Sequence, residues 1–274
     1  MFLKILAVFF IVFSTSIKAA SKELVIGCTT KCDMFFRLAF KRVTPVGLKI
    51  RLIDLSEYGE TDFSKLDGII IPGGADIDPR YYVGQVEPEL ADHIRSLDHL
   101  VKYSSEGRRR DPFEFEFLKR YFNDPSTKNL PVLGICRGMQ VLGVSQGVPL
   151  YIDIKTELGI RNRRFLFDRI NLQPEASLIN DLFEITSFKA FKRHHQGLRV
   201  NYFNDHADRW PHLKITSFSN QGLIAESLEF MNRPVLGVQF HPENDFGFER
   251  KIIFNWLIRE ALKRDNEIIA TISM

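Results

Sequence analysis

Short apolar runs alternate with amphipathic stretches along most of this chain. Apolar runs bounded by Gly or Pro predict buried strands, and apolar positions three or four residues apart predict helices. Strands are predicted at residues 23–27, 48–55, 67–74 (ending in a Pro-Gly-Gly turn), 130–135, 151–154, 164–171, 215–218, 223–229 and 234–240. Helices are predicted at residues 34–42, near 90–103, and at 111–121, 138–145 and 246–263. This alternation predicts an α/β fold with a mostly parallel central sheet, and the later strands predict an antiparallel part.

No internal repeat, low-complexity linker or break in composition divides the chain. Its 274 residues, 45% of them hydrophobic, are enough for one sizeable core. We therefore predict a single domain over residues 21–274.

The first 20 residues have a different pattern from the rest. A basic start at Lys4 precedes an apolar run at residues 5–13, and small and polar residues follow, ending in Ala19-Ala20. This order is typical of a cleavable secretory signal, and the apolar run is short for a membrane span. We predict a signal peptide at residues 1–20 and a secreted or periplasmic protein without stable membrane association after cleavage. An uncleaved anchor, a misplaced start and lipidation at Cys28 are the alternatives.

Charge and cysteine content narrow the function classes. The formal net charge is +3, and removal of Lys4 and Lys18 leaves about +1, so nothing favours nucleic acid as a partner. The only cysteines, Cys28, Cys32 and Cys136, are too few for a disulfide framework. Pairing of Cys28 with Cys32 stays open at this point, and Cys136 would then be the odd thiol.

A candidate nucleophile lies between a predicted strand and a predicted helix. Gly134-Ile135-Cys136-Arg137-Gly138 has the Gly-x-nucleophile-x-Gly pattern, whose glycines permit a tight turn. Such a turn puts Cys136 at a helix N-terminus, where backbone N–H groups favour a thiolate. A buried structural cysteine is the alternative, but it would not need flanking glycines.

A thiolate nucleophile needs a base, and the base needs a group that orients it. His241 and Glu243 follow the last predicted strand two residues apart, and in extended chain they can face the same side. We predict a triad of Cys136, His241 and Glu243. Gly73-Gly74, together with the amide of Arg137, would form an oxyanion hole.

These segments resemble a known family. Pro72-Gly73-Gly74, Gly134 to Gln140 and Gly237 to Glu243 are similar to the signature of class I glutamine amidotransferases. Residues 72–82, 110–114 and the His194-His195-Gln196 motif resemble its peptidase C26 branch, and most closely the γ-glutamyl-γ-aminobutyrate hydrolases. The resemblance covers nearly the whole mature chain and implies the class I glutamine amidotransferase-like (flavodoxin-like) fold.

The resemblance also implies a function. We expect hydrolysis of γ-glutamyl amide bonds through a thioester on Cys136, with Gln140 and His195 lining the substrate pocket and no metal or cofactor. A glutaminase subunit that delivers ammonia to a partner and a non-catalytic binding protein are the alternatives. The sequence leaves the leaving amine and the oligomeric state open, a homodimer included.

Overall fold

The computed structural model describes residues 22–57, 61–160, 166–175, 177–245 and 247–272. The predicted signal peptide at residues 1–20 lies outside the described residues. None of the helices in the described ranges is long and apolar enough to cross a membrane.

Eleven strands and eight α-helices alternate along the described chain, joined by short 3₁₀ turns. The strands are β1 Lys22–Cys28, β2 Leu48–Asp54, β3 Gly68–Ile71, β4 Val132–Ile135, β5 Leu150–Tyr151, β6 Leu166–Leu172, β7 Ser187–Lys192, β8 Gly197–Leu198, β9 Leu213–Ser219, β10 Ile224–Phe230 and β11 Val235–Val238. The helices are α1 Met34–Val43, α2 Pro88–Ser96, α3 Ser105–Asn123, α4 Arg137–Ser145, α5 Ile154–Leu158, α6 Leu178–Phe183, α7 Val200–Asp205 and α8 Phe248–Ile272.

Nine of these strands form one sheet in the order β2-β1-β3-β4-β11-β10-β9-β6-β7. The strands from β2 to β11 pair in parallel, and those from β10 to β7 extend the sheet by antiparallel pairing. A separate two-stranded antiparallel sheet joins β5 to β8. The prediction of a parallel centre with an added antiparallel part is therefore confirmed.

Two apolar cores lie on opposite faces of the sheet, because successive strand residues point to opposite sides. Ile69 and Ile71 of β3 belong to one core, which includes side chains of α3 and α4. Ile70 between them belongs to the other, which α1 and α8 cover. There the Phe40 and Phe254 rings meet edge to face with centroids 5.0 Å apart. The sheet is therefore covered on both faces. Because β2, β1, β3, β4 and β11 are parallel, their C-terminal ends lie at the same edge of the sheet.

Three predicted helices have clearly different bounds in the structure. The closing helix, expected at residues 246–263, begins at Phe248 and extends to Ile272. The helix expected near residues 90–103 ends at Ser96, before a 3₁₀ turn. The helix expected at residues 111–121 starts earlier, at Ser105, because the Ser104 hydroxyl accepts a hydrogen bond from the Gly107 amide and caps it. Pro112 lies within this helix, so the proline does not mark its start.

The strand predicted at residues 151–154 was wrong in its second half. Only Leu150–Tyr151 is strand, and Asp153 then caps α5 by accepting a hydrogen bond from the Thr156 amide. An aspartate that caps a helix competes with strand pairing, which explains the early end. Helices α5, α6 and α7 and strands β7 and β8 were not predicted.

Candidate active site

A sharp turn joins β4 to α4, and Cys136 lies at its apex. Its backbone has φ 53° and ψ −107°, a conformation that costs a residue with a side chain about 1–3 kcal/mol. A Cβ atom at Gly138 would lie 1.9 Å from the carbonyl oxygen of Ile71, and one at Gly134 would lie 2.7 Å from backbone atoms of Gly138. The glycines on either side of the nucleophile are therefore required by close backbone contacts.

Three neighbouring parallel strands, β3, β4 and β11, bring the predicted groups together. A Cβ atom at Gly73 would lie 3.0 Å from Cε1 of His241 and 3.6 Å from Cβ of Cys136. The Cys136 amide donates a 2.7 Å hydrogen bond to the Val238 carbonyl at the end of β11. The predicted nucleophile, base and glycine turn thus meet at one edge of the sheet.

His241 and Glu243 form a buried pair in the loop after β11. Nδ1 of His241 lies 2.6 Å from Oε1 of Glu243, and both side chains are buried. Arg250 of α8 fixes this loop by donating to the carbonyl oxygens of Pro242 and Glu243, at 3.2 and 2.6 Å. With Nδ1 engaged by the carboxylate, Nε2 is the ring nitrogen left for proton transfer.

Burial on its own would lower the pKa of His241, but the charges of Glu243 and Cys136 outweigh it. The pKa of His241 therefore lies well above its ordinary value of 6.5. A protonated imidazole beside a cysteine favours the thiolate form. The raised pKa of His241 therefore favours the imidazolium form of this residue in the free site.

Replacing Glu243 by Gln is expected to lower the pH at which His241 titrates. The substitution removes the carboxylate charge that raises the pKa of His241, and it leaves the desolvation that lowers it. A raised pKa of His241 stabilises the folded protein fully below pH 6.5, and this stabilisation is lost as pH rises through the folded-state pKa. The Glu243→Gln variant should therefore be less stable than the wild type chiefly at neutral pH and below. NMR titration of the imidazole resonance that disappears in His241→Gln measures the change; an unchanged midpoint in Glu243→Gln would contradict it.

A buried charge network lies beneath the glycine turn. The Arg137 side chain is 1% exposed and forms ion pairs with Asp111 and Glu114 of α3. Glu114 also accepts from Arg110, at 2.9 and 3.1 Å, and from the Thr29 hydroxyl, at 2.6 Å. The side chain of Arg137 therefore points into this network, and only its backbone amide, the first of α4, suits the predicted oxyanion role.

The network reaches the glycine turn through Arg110. Its guanidinium donates to the carbonyl oxygens of Pro72 and Gly73, at 2.8 and 2.7 Å, and to Oε1 of Glu106, at 2.7 Å. Because Arg110 binds both carbonyl oxygens, it fixes the position of the glycine turn. The sequence does show that Arg110 and Glu114 are one helical turn apart and can form an ion pair. That spacing alone does not indicate that Arg110 also holds the glycine turn.

Two cavities open on either side of Cys136. The first has a volume of about 370 Å³, and its lining includes Gly74, Asp76, Lys102, Cys136, Gln140 and His195. The second has a volume of about 460 Å³, and its lining includes Lys31, Gly73, Glu106, Cys136, His241 and Glu243. The two cavities share Gly74, Cys136 and Arg193, so a substrate bound across the nucleophile would have one part in each.

Gln140 and His195, both predicted to contact substrate, line the first cavity. Nε2 of Gln140 donates to the Gln196 carbonyl, at 3.0 Å, and to Oε1 of Gln239, at 3.2 Å. His195 lies between two carboxylates, 2.9 Å from Asp76 and 3.2 Å from Asp153. Both side chains are therefore held in place before any substrate binds; the roles of the two aspartates were not predicted.

The structure pairs Cys28 with Cys32 in a disulfide, with their Cα atoms 5.9 Å apart. Cys136 is the free cysteine. The pairing that the sequence left open is thereby present, and it closes a short loop at the end of β1.

The sequence model of the Peptidase C26 family matches residues 39–243. Protein NtpR of Enterococcus hirae is 28% identical over 192 residues, which are 65% of this chain and 67% of that protein. The gamma-glutamyl-gamma-aminobutyrate hydrolase PuuD of Escherichia coli is 26% identical over 192 residues, 65% of each protein.

Among solved structures, the glutaminase domain of Trypanosoma brucei CTPS with bound acivicin is similar in fold. Its TM-score is 0.58 at 16% identity, and the match covers 88% of this chain and 94% of that one. At this identity the likeness concerns the fold alone, which is that of the class I glutamine amidotransferases.

Proposed function

This chain belongs to the peptidase C26 family, and from that membership we propose that it is a cysteine-dependent hydrolase of γ-glutamyl amide bonds. The single observation that supports the proposal most is the meeting of Cys136, His241 and the Gly73 turn at one sheet edge, with a cavity on either side of the thiol. A relative in Escherichia coli named a gamma-glutamyl-gamma-aminobutyrate hydrolase supports the bond type.

The reaction begins with attack of the Cys136 thiolate on the γ-carbonyl carbon. A carbon–sulfur bond forms, and the carbonyl oxygen becomes an oxyanion that accepts hydrogen bonds from backbone amides of Arg137 and the Gly73-Gly74 turn. Each such donor is worth roughly 3 kcal/mol of barrier lowering. As the intermediate collapses, the carbon–nitrogen bond breaks, and Nε2 of His241 gives its proton to the departing amine.

The second half of the reaction frees the enzyme. Nε2 of His241, now neutral, accepts a proton from a water molecule that attacks the γ-glutamyl thioester. The carbon–sulfur bond then breaks, glutamate leaves, and the thiolate and imidazolium pair is restored. Glu243 holds the ring so that Nε2 faces the reacting atoms throughout.

The two cavities suit the two parts of the substrate. Gln140 and His195 line the first cavity, which we assign to the glutamyl group. His241, the acid for the leaving amine, lines the second cavity and not the first, so we assign the second to that amine.

We place the reaction outside the cytoplasm. The pattern of residues 1–20 supports export, and a Cys28–Cys32 disulfide is the state expected in an oxidising compartment.

A panel of substrates tests the proposal. Mature protein and its Cys136→Ala variant are incubated with γ-glutamyl amides, free glutamine and an α-glutamyl isomer, and released glutamate and amine are quantified. Cleavage of γ-glutamyl amides by the wild type alone, in preference to glutamine, is expected. Cleavage of glutamine alone would favour a glutaminase instead, and binding without any cleavage would favour a non-catalytic role.

A further inference from the structure

The second cavity contains three carboxylates, and all of them are engaged. Glu243 pairs with His241, and Glu106 pairs with Arg110 at 2.7 Å. Asp33 caps α1 by accepting from the amides of Phe35, at 2.8 Å, and Phe36, at 3.3 Å. Each acid therefore has partners of its own: Glu243 and Glu106 pair with cationic side chains, and Asp33 is hydrogen-bonded to backbone amides.

Lys31 differs from these acids. Two cations line the same cavity, Arg193 and Lys31. Arg193 also lines the first cavity, whereas Lys31 lines the second alone, is exposed, and forms no ion pair with the described residues. An exposed ammonium without an ion-pair partner, in a cavity whose acids already have partners, favours an anionic group there.

The loop that presents Lys31 is fixed at both ends. The Cys28–Cys32 disulfide closes it, and the next residue, Asp33, caps α1. Inside the loop, the Thr29 amide donates to the Ile70 carbonyl at 3.0 Å, and the Thr29 hydroxyl donates to the buried Glu114 at 2.6 Å. Lys31 is therefore presented from a short anchored segment, which lowers the entropy cost of placing its charge against a ligand.

We propose that Lys31 selects leaving amines that carry a carboxylate, such as the amino group of an amino acid. The inference rests on the proposed function, because it takes the second cavity as the site of the leaving amine. Lys31 is then a specificity-determining residue, and the disulfide loop is what positions it.

The test compares three γ-glutamyl substrates whose leaving amines differ in charge: glycine, methylamine and ethylenediamine. In Lys31→Met, the ratio of kcat/KM for the glycine substrate over the methylamide should fall about threefold, as expected for an ion pair made by an exposed lysine. In Lys31→Glu, the preference should shift further, toward the ethylenediamine substrate. Added salt should lower the ratio in the wild type and leave it unchanged in Lys31→Met.

Lys49→Met is the matched control, because Lys49 is an exposed lysine on β2 away from both cavities. It should keep the wild-type ratio. Equal ratios in the wild type and Lys31→Met, with Cys136-dependent cleavage still present, would overturn the role of Lys31 and leave the proposed function standing. Absence of cleavage of all three substrates by the wild type would overturn both.

Discussion

Cys136→Ala is expected to lower kcat/KM for a γ-glutamyl amide by roughly 10⁴-fold or more, as removal of a nucleophile does in comparable triads. Without the sulfur no thioester can form, and His241 and the backbone amides cannot replace that covalent step. Steady-state release of glutamate, together with a search by mass spectrometry for the acyl-enzyme, measures the loss. Retained turnover within tenfold of the wild type would remove Cys136 from the mechanism.

The same position allows a control for folding. Cys136 has φ 53°, a region that glycine adopts without the strain of other residues. Cys136→Gly should therefore be at least as stable as Cys136→Ala, although glycine usually costs about 0.5–1 kcal/mol relative to alanine in helices and strands. Thermal unfolding of the two inactive variants separates loss of chemistry from loss of structure.

Glu114→Gln is expected to destabilise the protein by about 3 kcal/mol, a loss typical of a broken buried ion pair. The substitution leaves the buried Arg137 with Asp111 as its remaining ion-pair partner and removes the buried carboxylate beside Arg110. For a chain of this length the loss corresponds to a fall in Tm of roughly 10 °C. Activity should fall as well, because Glu114 positions Arg110, and Arg110 in turn holds the carbonyls of Pro72 and Gly73 in the glycine turn.

The effect should depend on pH. Burial would raise the pKa of Glu114, but Arg137 and Arg110 outweigh it and hold the pKa below the ordinary value of 4.5. The stabilisation is therefore fully present above pH 4.5 and is lost as pH falls through the folded-state pKa. The stability difference between wild type and variant should shrink in acid.

Glu116→Gln is the control for Glu114→Gln. Glu116 lies on the same helix but is largely exposed, and its contact with Lys119 is a loose 3.8 Å. It should change stability by less than about 1 kcal/mol. Equal effects of the two substitutions would contradict a special role for the buried network.

Periodicity in the sequence identified the parallel part of the fold well. Strands β3, β4 and β11 are short and wholly buried, so unbroken apolar runs mark them. Strand β7 lies at the sheet edge and alternates buried with less buried residues over only six positions. Its place was set by pairing with β6, which no local pattern reveals.

The site shows a similar division. The elbow at Cys136 and the His241–Glu243 pair depend on residues close in sequence, so local motifs predicted that they lie at strand ends. The neighbours of His195 are instead 119 and 42 positions away, at Asp76 and Asp153. Long-range contacts of this kind depend on how the strands and loops are arranged in the fold, which local sequence motifs do not reveal.

The strand order also separates the nucleophile from Cys28. Cys28 ends β1, Cys136 follows β4, and β3 lies between the two strands. Two inter-strand steps of about 4.8 Å each keep their Cα atoms about 10 Å apart or more, beyond the roughly 7 Å that a disulfide can bridge. Pairing of Cys28 with Cys136 therefore requires the sheet to open. In the folded molecule the reactive thiol cannot bond to Cys28, and that mispairing is confined to the chain before β3 has joined its neighbours.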